Sequence, residues 1–373
     1  MVHEIALTIK PTMACNMYCK HCFNGKLLKS SKQVDLESVF RFIDIAASEF
    51  KDIKITFHGG EPTLAGYDFY KSVFAHETKI SKKYGVVFTN LFTTNGLLLD
   101  EKLIDLLIKY NVLINISFDG PHNDILRQDT KYIISVIEKV QKKGARFRIF
   151  CTVSAPSLPY LKETYDWFKN KNWDFKILPI EPRGCAEKNY NLLMNIEAFL
   201  DKLEDLYRIW IIDNSCKIKF YTFQEFANLR RDIQFKPYWI NREIALNPDG
   251  LIYPFGRPND MHFCLGSPFD VEKISECFCN KNYKKLLFNM KEYAKEQCKK
   301  CDSFHICRSV CVYMSYVYGD NPESLQYECK MSNGIFNRIL KVNDEIIENF
   351  RSGNMEIYND FVKDSFKSFL AKE

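Results

Sequence analysis

The sequence contains no apolar run long enough to span a bilayer, which excludes a transmembrane segment. Its opening residues, Met-Val-His-Glu-Ile-Ala, lack the basic and apolar regions of a secretion signal. Charge of one sign is also scarce. The 52 Lys and Arg are nearly matched by 47 Asp and Glu, for a net charge of +5. Over 373 residues that imbalance gives no electrostatic footprint for nucleic acid. No internal repeat, low-complexity tract or flexible linker interrupts the chain. These absences predict a cytoplasmic protein with no membrane or nucleic-acid partner.

What is present is a large core-forming fraction and an excess of cysteine. The chain is 46% hydrophobic and 14% aromatic, enough to bury a sizeable core. Its 14 cysteines, without a secretion signal, do not read as a disulfide framework. They cluster, with Cys15, Cys19 and Cys22 near the start and Cys298, Cys301, Cys307, Cys311 and Cys329 near the end. Such clustering points to metal or iron–sulfur ligation.

Hydrophobic periodicity predicts strands over 5–9, 53–57, 86–91, 112–118, 146–153 and 174–180. Helices are predicted between them over 35–50, 68–83, 100–110, 130–143 and 157–171, with Asp35 as an N-cap. Six strands alternating with helices are right-handed βαβ units on a parallel sheet, an α/β fold. After about residue 183 the pattern changes. Helices are predicted over 195–212 and 218–230. A hairpin follows over 243–254 around Asn247-Pro248-Asp249-Gly250, and two helices are predicted over 332–350 and 355–370. The predicted domains are 1–185, a bridging helical region over 186–240, and a cysteine-rich unit over 241–373.

Cys15-x-x-x-Cys19-x-x-Cys22 follows the first strand. Three thiolates are one too few for a saturated cluster, so one iron stays open, an arrangement suited to catalysis. A buried or zinc-binding set is the alternative. Other strands end in Gly59-Gly60-Glu61-Pro62, in Thr93-Thr94-Asn95-Gly96 and in Ser117-Phe118-Asp119-Gly120-Pro121. All these ends should face one pocket, as carboxyl strand ends do in parallel sheets. Glu61 suits an ammonium group there, and Asn95 and Ser117 suit a carboxylate or ribose.

These motifs, in this order, resemble the radical S-adenosylmethionine (SAM) superfamily, over residues 5–180. The resemblance implies a partial (β/α)6 barrel in which Cys15, Cys19 and Cys22 hold a [4Fe–4S] cluster. It implies that Phe23, Gly59, Gly60, Glu61, Asn95 and Ser117 bind SAM. Arg127 is placed either on SAM or in a surface salt bridge. It further implies reductive cleavage of SAM to a 5′-deoxyadenosyl radical that takes a hydrogen atom from the substrate.

The spacing Cys298-x-x-Cys301-x5-Cys307-x3-Cys311, with Cys329 beyond, resembles the SPASM/twitch-like auxiliary-cluster extension of peptide-modifying radical SAM enzymes. That resemblance implies that Cys298, Cys301, Cys307 and Cys329 hold one auxiliary [4Fe–4S] cluster, a zinc knob being the alternative. A second auxiliary cluster is not expected. Phe255 stands where the pattern has a cysteine, which leaves Cys311 without partners, and Cys264, Cys277 and Cys279 read as ordinary thiols.

The layout resembles both anaerobic sulfatase-maturating enzymes and maturases of ribosomally made peptides. Sulfatase maturation implies an aspartate base after an aromatic pair, and Lys219-Phe220-Tyr221 is followed instead by Thr222. The favoured expectation is therefore a peptide maturase that installs a thioether or carbon–carbon crosslink or epimerises a residue. The alternatives are a formylglycine-generating sulfatase maturase and a cluster- or zinc-stabilised binding protein on the same scaffold. A tRNA-modifying radical enzyme is disfavoured by the charge. Expected partners are a peptide or protein substrate, including a leader-bearing precursor peptide, and an electron donor such as flavodoxin or ferredoxin. With the barrel starting at residue 5, no N-terminal leader-binding domain is expected. Tyr18, Tyr221 and Thr222 are candidates to line the substrate space. The pairs Arg230-Arg231 and Lys299-Lys300 are candidates to meet an acidic leader.

Overall fold

Six strands, β1 (Glu4–Ile9), β2 (Asp52–Phe57), β3 (Val87–Thr94), β4 (Leu113–Ser117), β5 (Phe147–Val153) and β6 (Phe175–Pro179), form the first part of the sheet. They alternate with α1 (Leu36–Ala47), α2 (Tyr67–Tyr84), α3 (Glu101–Lys109), α4 (Thr130–Lys142) and α5 (Leu161–Lys171). The structure, a computed structural model, describes residues 4–25, 32–230, 242–256, 261–298, 301, 303–307 and 322–371. Local chemistry sets the helix ends. The Asp35 carboxylate accepts from the Ser38 amide at 2.7 Å to open α1, and Asp100 does the same for Leu103 in α3, also at 2.7 Å. Gly85, with φ at +66°, closes α2 in the left-handed conformation that glycine adopts freely.

All neighbours from β1 to β6 pair in parallel. Strand alternation sorts their side chains. Ile5, Leu7 and Ile9 of β1 and Ile53, Ile55 and Phe57 of β2 are buried, and Phe57 meets Tyr70 and Phe74 of α2 edge-on. The alternate face carries Thr8 and Thr56 into a cavity, where residues from the other strands join them. All six strands line this cavity, so the sheet is curled. This is the expected open, partial barrel.

The hairpin departs from its expected place in a separate unit. Its first strand, β7 (Glu243–Leu246), pairs in parallel with β1, and β8 (Ile252–Tyr253) pairs antiparallel with β7. The sheet order is β6-β5-β4-β3-β2-β1-β7-β8. The physical reason is burial. Ile244, Ala245 and Leu246 are fully buried, and they cover the edge that β1 would otherwise leave open. The predicted boundary at 241 therefore separates strands of one sheet.

Beyond the barrel lie α6 (Ile196–Ile211), α7 (Tyr221–Ala227), α8 (Ile274–Cys279), α9 (Lys281–Gln297), α10 (Phe304–Cys307), α11 (Pro322–Arg351) and α12 (Asp360–Leu370). α6 packs on α11, where the Tyr207 hydroxyl donates to Asn343 at 2.8 Å and Arg208 pairs with Glu345. One apolar cluster runs from β1 to α12, so the bridging region and the last helices share the barrel's core. Cys298 and Leu325, with Ala294 and Cys329, form a small cluster of their own.

Two charged groups depart from ordinary surface behaviour. Arg230 was a candidate for an acidic leader, but it is buried over the Phe366 ring at 3.9 Å and donates to the Ala227 carbonyl, which removes it from any surface patch. Arg231, Lys299 and Lys300 lie outside the described residues. Glu77 is buried between α2 and β3, where it accepts from the Asn90 amide at 2.6 Å, and burial pushes its pKa up to about 8. No helix among the described residues is long and apolar enough to cross a membrane.

Candidate active site

The loop after β1 is held against the end of β2 by backbone pairing. The Gly60 amide donates to the Thr12 carbonyl at 3.0 Å and the Glu61 amide to the Ala14 carbonyl at 2.8 Å. The contact is too close for side chains. A Cβ on Gly59 would sit 2.3 Å from the Thr12 oxygen, and one on Gly60 would sit 2.2 Å from the Ala14 oxygen. The two glycines thus bring β2 against the cysteine loop itself.

Cys15, Cys19 and Cys22 are half-buried and all three line one cavity of about 540 Å³. That volume is in the range of a small-molecule site. As free thiols they resist ionisation, because burial raises all three pKa values, that of Cys19 to about 11 despite the opposing Arg127 charge. A cationic metal group would reverse that preference. Phe23, Gly59, Gly60, Glu61, Asn95, Ser117 and Arg127, the expected SAM-binding residues, line the same cavity.

Three of these residues are held by partners within the chain. Glu61 accepts from the Thr63 amide (3.0 Å), the Thr63 hydroxyl (2.7 Å), the Thr94 hydroxyl (2.7 Å) and the Asn95 amide (2.8 Å). Its carboxylate therefore ties the end of β2 to the end of β3. Burial raises its pKa while these donors lower it. The Asn95 side-chain amide donates to the Asn16 side-chain oxygen Oδ1 at 2.8 Å and lies 3.8 Å from the Cys15 sulfur, so it braces the cysteine loop. Arg127 is no surface salt bridge. Its guanidinium meets Asp119 at 2.9 Å and the Thr152 hydroxyl at 3.1 Å, and lies 3.8 Å from the Cys19 sulfur. Both side chains of the ion pair are buried, and Asp119 also accepts from the Thr152 amide at 2.7 Å.

Other cavity residues escape sequence reasoning. His21 faces the cavity with Nδ1 buried and without a hydrogen-bond partner among the described residues. Burial, reinforced by the Arg127 charge, holds its pKa well below the usual histidine value, so the imidazole is neutral. His58 accepts from the Gly59 amide at 2.7 Å, and its ring centroid is 6.1 Å from that of Phe23. Thr8, Thr56, Thr93 and Thr152 give the wall a run of hydroxyls, and Glu181 and Glu243 bring two further carboxylates. Glu243 accepts from the Gly256 amide at 3.2 Å and the Thr8 hydroxyl at 3.4 Å. The inward period of the strands was the available signal for the threonines. Nothing local marks Glu243, which reaches the cavity only through the β7–β1 pairing.

The candidates Tyr18, Tyr221 and Thr222 do not line this cavity. Tyr18 is 78% exposed, and Tyr221 lies under the Arg148 guanidinium at 4.9 Å. The Thr222 hydroxyl accepts from the Ile177 amide at 2.8 Å, joining α7 to β6. A base at position 222 would thus lie outside the site.

Cys298, Cys301, Cys307 and Cys329 ring a second, small cavity with Ser303, Phe304 and Asn333. The first three sit on successive turns, where the Cys298 amide donates to Ala294, the Cys301 amide to Cys298 and the Cys307 amide to Ser303. Cys329 comes from α11. Among the described residues, no three His, Cys, Asp or Glu side chains converge tightly enough to hold a single metal ion. Cys311 lies outside the described residues. Cys277 is buried, Cys279 is exposed and Cys264 is half-buried, and none of them lines either cavity. Phe255 is buried.

The profile of the Radical SAM superfamily matches residues 9–167. The cysteine-type anaerobic sulfatase-maturating enzyme of Clostridium perfringens is 26% identical over 359 residues, covering 89% of this chain and 95% of that protein. The radical SAM cyclopropyl synthase TigE of Paramaledivibacter caminithermalis is 23% identical, over 82% of this chain and 67% of its own. Among solved structures, anSMEcpe with bound AdoMet and the Cp18Cys peptide aligns with a TM-score of 0.75 at 22% identity, over 91% of this chain and 99% of that one. Three cavity-facing cysteines at the carboxyl ends of a parallel barrel agree with the matching profile: residues 9–167 form a radical SAM domain, and over most of its length the chain is similar in sequence to the sulfatase-maturating enzyme and shares the fold of anSMEcpe.

Proposed function

We propose that this enzyme modifies a residue within a peptide or protein substrate. Cys15, Cys19 and Cys22 would hold the catalytic [4Fe–4S] cluster, and Cys298, Cys301, Cys307 and Cys329 an auxiliary one. The single observation that carries the reading is the large cavity, where three cysteines share one wall with every expected SAM-binding residue. When bound, cluster and SAM supply a carbon-centred radical that takes a hydrogen atom from the substrate.

The chain's own residues do the rest. Asn95 and Arg127 brace the Cys15 and Cys19 ends of the loop. Glu61 fixes the cavity floor by joining two strand ends. Ser117 and the Gly59–Gly60 backbone are the proposed contacts for the amino-acid part of SAM, and Phe23 is the proposed apolar contact. Glu243 Oε is the proposed proton acceptor for the substrate, in place of a base at position 222. Phe23, Met17, Phe150 and Leu178 narrow the cavity with apolar surface and limit water.

Oxidation of a sulfatase-type Cys or Ser to formylglycine fits at least as well as crosslinking or epimerisation. The similarity to the sulfatase maturase runs through both the barrel and the cysteine-rich extension. Anaerobic reconstitution with iron and sulfide tests the common part. About eight irons per chain and release of 5′-deoxyadenosine from SAM under reductant are expected. Absence of 5′-deoxyadenosine would defeat the reading. A Cys-bearing sulfatase peptide then separates the two chemistries. A product that reacts with hydrazine supports formylglycine formation, and an unchanged peptide beside active SAM cleavage favours a different peptide modification. With an accepted peptide, Glu243→Gln should leave SAM cleavage in place and lower product formation about 100-fold or more.

A further inference from the structure

Residues Glu181–Cys185 leave the end of β6 and run from the Cys22 turn to the α11 turn beside Cys329. Glu181 lines the large cavity. The Pro182 carbonyl accepts from the Ser324 hydroxyl at 3.3 Å, at the start of α11. The Arg183 side chain is 1% exposed, and both of its terminal nitrogens meet the Glu328 carboxylate, one of them at 2.8 Å. Glu328 directly precedes Cys329, the cysteine that α11 contributes to the small cavity. Arg183 also lies 3.5 Å from Glu181.

The other end of the segment is locked onto the catalytic loop. The Cys185 amide donates to the Cys22 carbonyl at 2.9 Å. Gly184 has φ at +59°, and a Cβ there would lie 2.4 Å from the Cys22 oxygen and 2.5 Å from the Phe23 oxygen. Contact this close leaves no slack between the segment and the Cys22 turn. A buried two-point Arg–carboxylate pair is equally directional at the other end. Movement of the α11 turn that carries Cys329 must therefore move Arg183, and with it the backbone that presses on Cys22 and Phe23.

We propose that Glu181–Cys185 is a strap through which the state of the Cys298–Cys329 site sets the affinity of the large cavity for SAM, with Arg183 as the positioning residue. The proposal rests on the radical SAM reading above. It assigns the Cys298–Cys329 site a mechanical role. The coupling is reciprocal, so SAM in the cavity tightens the auxiliary site.

The test measures SAM affinity on the reconstituted full chain, from the change that SAM causes in the electron paramagnetic resonance signal of the catalytic cluster. Arg183→Gln, Glu328→Gln, Cys329→Ser and the double variant Arg183→Gln/Cys329→Ser are compared with the parent. Each single change is expected to weaken SAM binding about tenfold, within the usual span of coupling between sites. The double variant should be no weaker than either single, because all act through one strap. Single variants that bind SAM within about twofold of the parent, or losses that multiply in the double variant, overturn the proposal. Should Arg183→Gln fail to fold, Glu328→Gln, which keeps the side-chain shape, decides the matter alone. A parent whose signal ignores SAM overturns the radical SAM reading itself, an outcome distinct from a strap that does not couple.

Discussion

The Cys15–Cys22 loop and the Cys298–Cys329 set are both cysteine-lined cavities, built by opposite means. The first is gripped by distant parts of the chain. Asn95 of the β3 end braces Cys15, Arg127 faces Cys19, and Cys185 holds the Cys22 carbonyl. The second is largely local, with three cysteines on neighbouring turns and a fourth from one helix, around its own small apolar cluster. The first adds hydroxyls, carboxylates and two histidines to three thiols in about 540 Å³, and the second adds little beyond its four thiols. Three thiols in a roomy cavity with hydroxyls and carboxylates on its wall suit an incoming molecule at an open iron. Four thiols around a tight space suit a saturated group that does not exchange.

The largest expected effect tests the first half of that contrast. Cys15→Ala/Cys19→Ala/Cys22→Ala should lower iron from about eight to about four per chain and abolish 5′-deoxyadenosine formation. Retained SAM cleavage would break the comparison outright. Next, Cys298→Ala/Cys301→Ala should remove a similar amount of iron, yet leave SAM cleavage at saturating SAM while product formation fails. One bound zinc in place of about four irons would make the second set structural only.

A smaller effect sharpens the grip around Cys19. Arg127→Met leaves Asp119 buried without its charged partner, and should cost about 3–5 kcal/mol in denaturant unfolding. Stability unchanged in that variant would mean that Asp119 takes up a proton or water without strain. The smallest effect lies away from both sites and serves as a control. The Glu77 carboxyl is held neutral by burial, with its pKa raised to about 8. Its folded form binds a proton more tightly than the unfolded chain. Stability should therefore fall as pH rises from the ordinary glutamate range through about 8, by up to roughly 5 kcal/mol. Glu77→Gln should flatten that profile, measured by urea midpoints across pH, without changing SAM cleavage.

Much of the frame was legible because its signals are local. Asp35 and the spacing of Val39, Phe42 and Ile43 mark α1, and the six strands fall within a few residues of their predicted places. The cysteine spacings and the Gly59–Gly60 stretch located both cavities. What escaped depends on contacts between distant residues. The pairing of Ile244 with Leu7 brings the hairpin onto the barrel, and no pattern within residues 243–254 encodes it. Glu61 looks like a free carboxylate until Thr63, Thr94 and Asn95 are seen to surround it. Arg127 reads equally as a SAM contact or a surface salt bridge until folding buries it against Asp119. Thr222 was judged by its neighbours in sequence, whereas its hydroxyl answers to Ile177 across the sheet.

The parallel pairing of β1 with β7 also dictates an order of events during synthesis. β1 leaves the ribosome first, pairs with β2 soon after, and then keeps one strand edge bare until Glu243–Leu246 emerges. The chain therefore carries a sticky, half-finished sheet through most of its translation, and the last piece of that sheet arrives with the slow closure typical of distant partners. A fragment that stops short of residue 243 keeps every catalytic cysteine and still exposes that edge. Such a truncation should self-associate, so the smallest working unit of this protein extends well past its catalytic motifs.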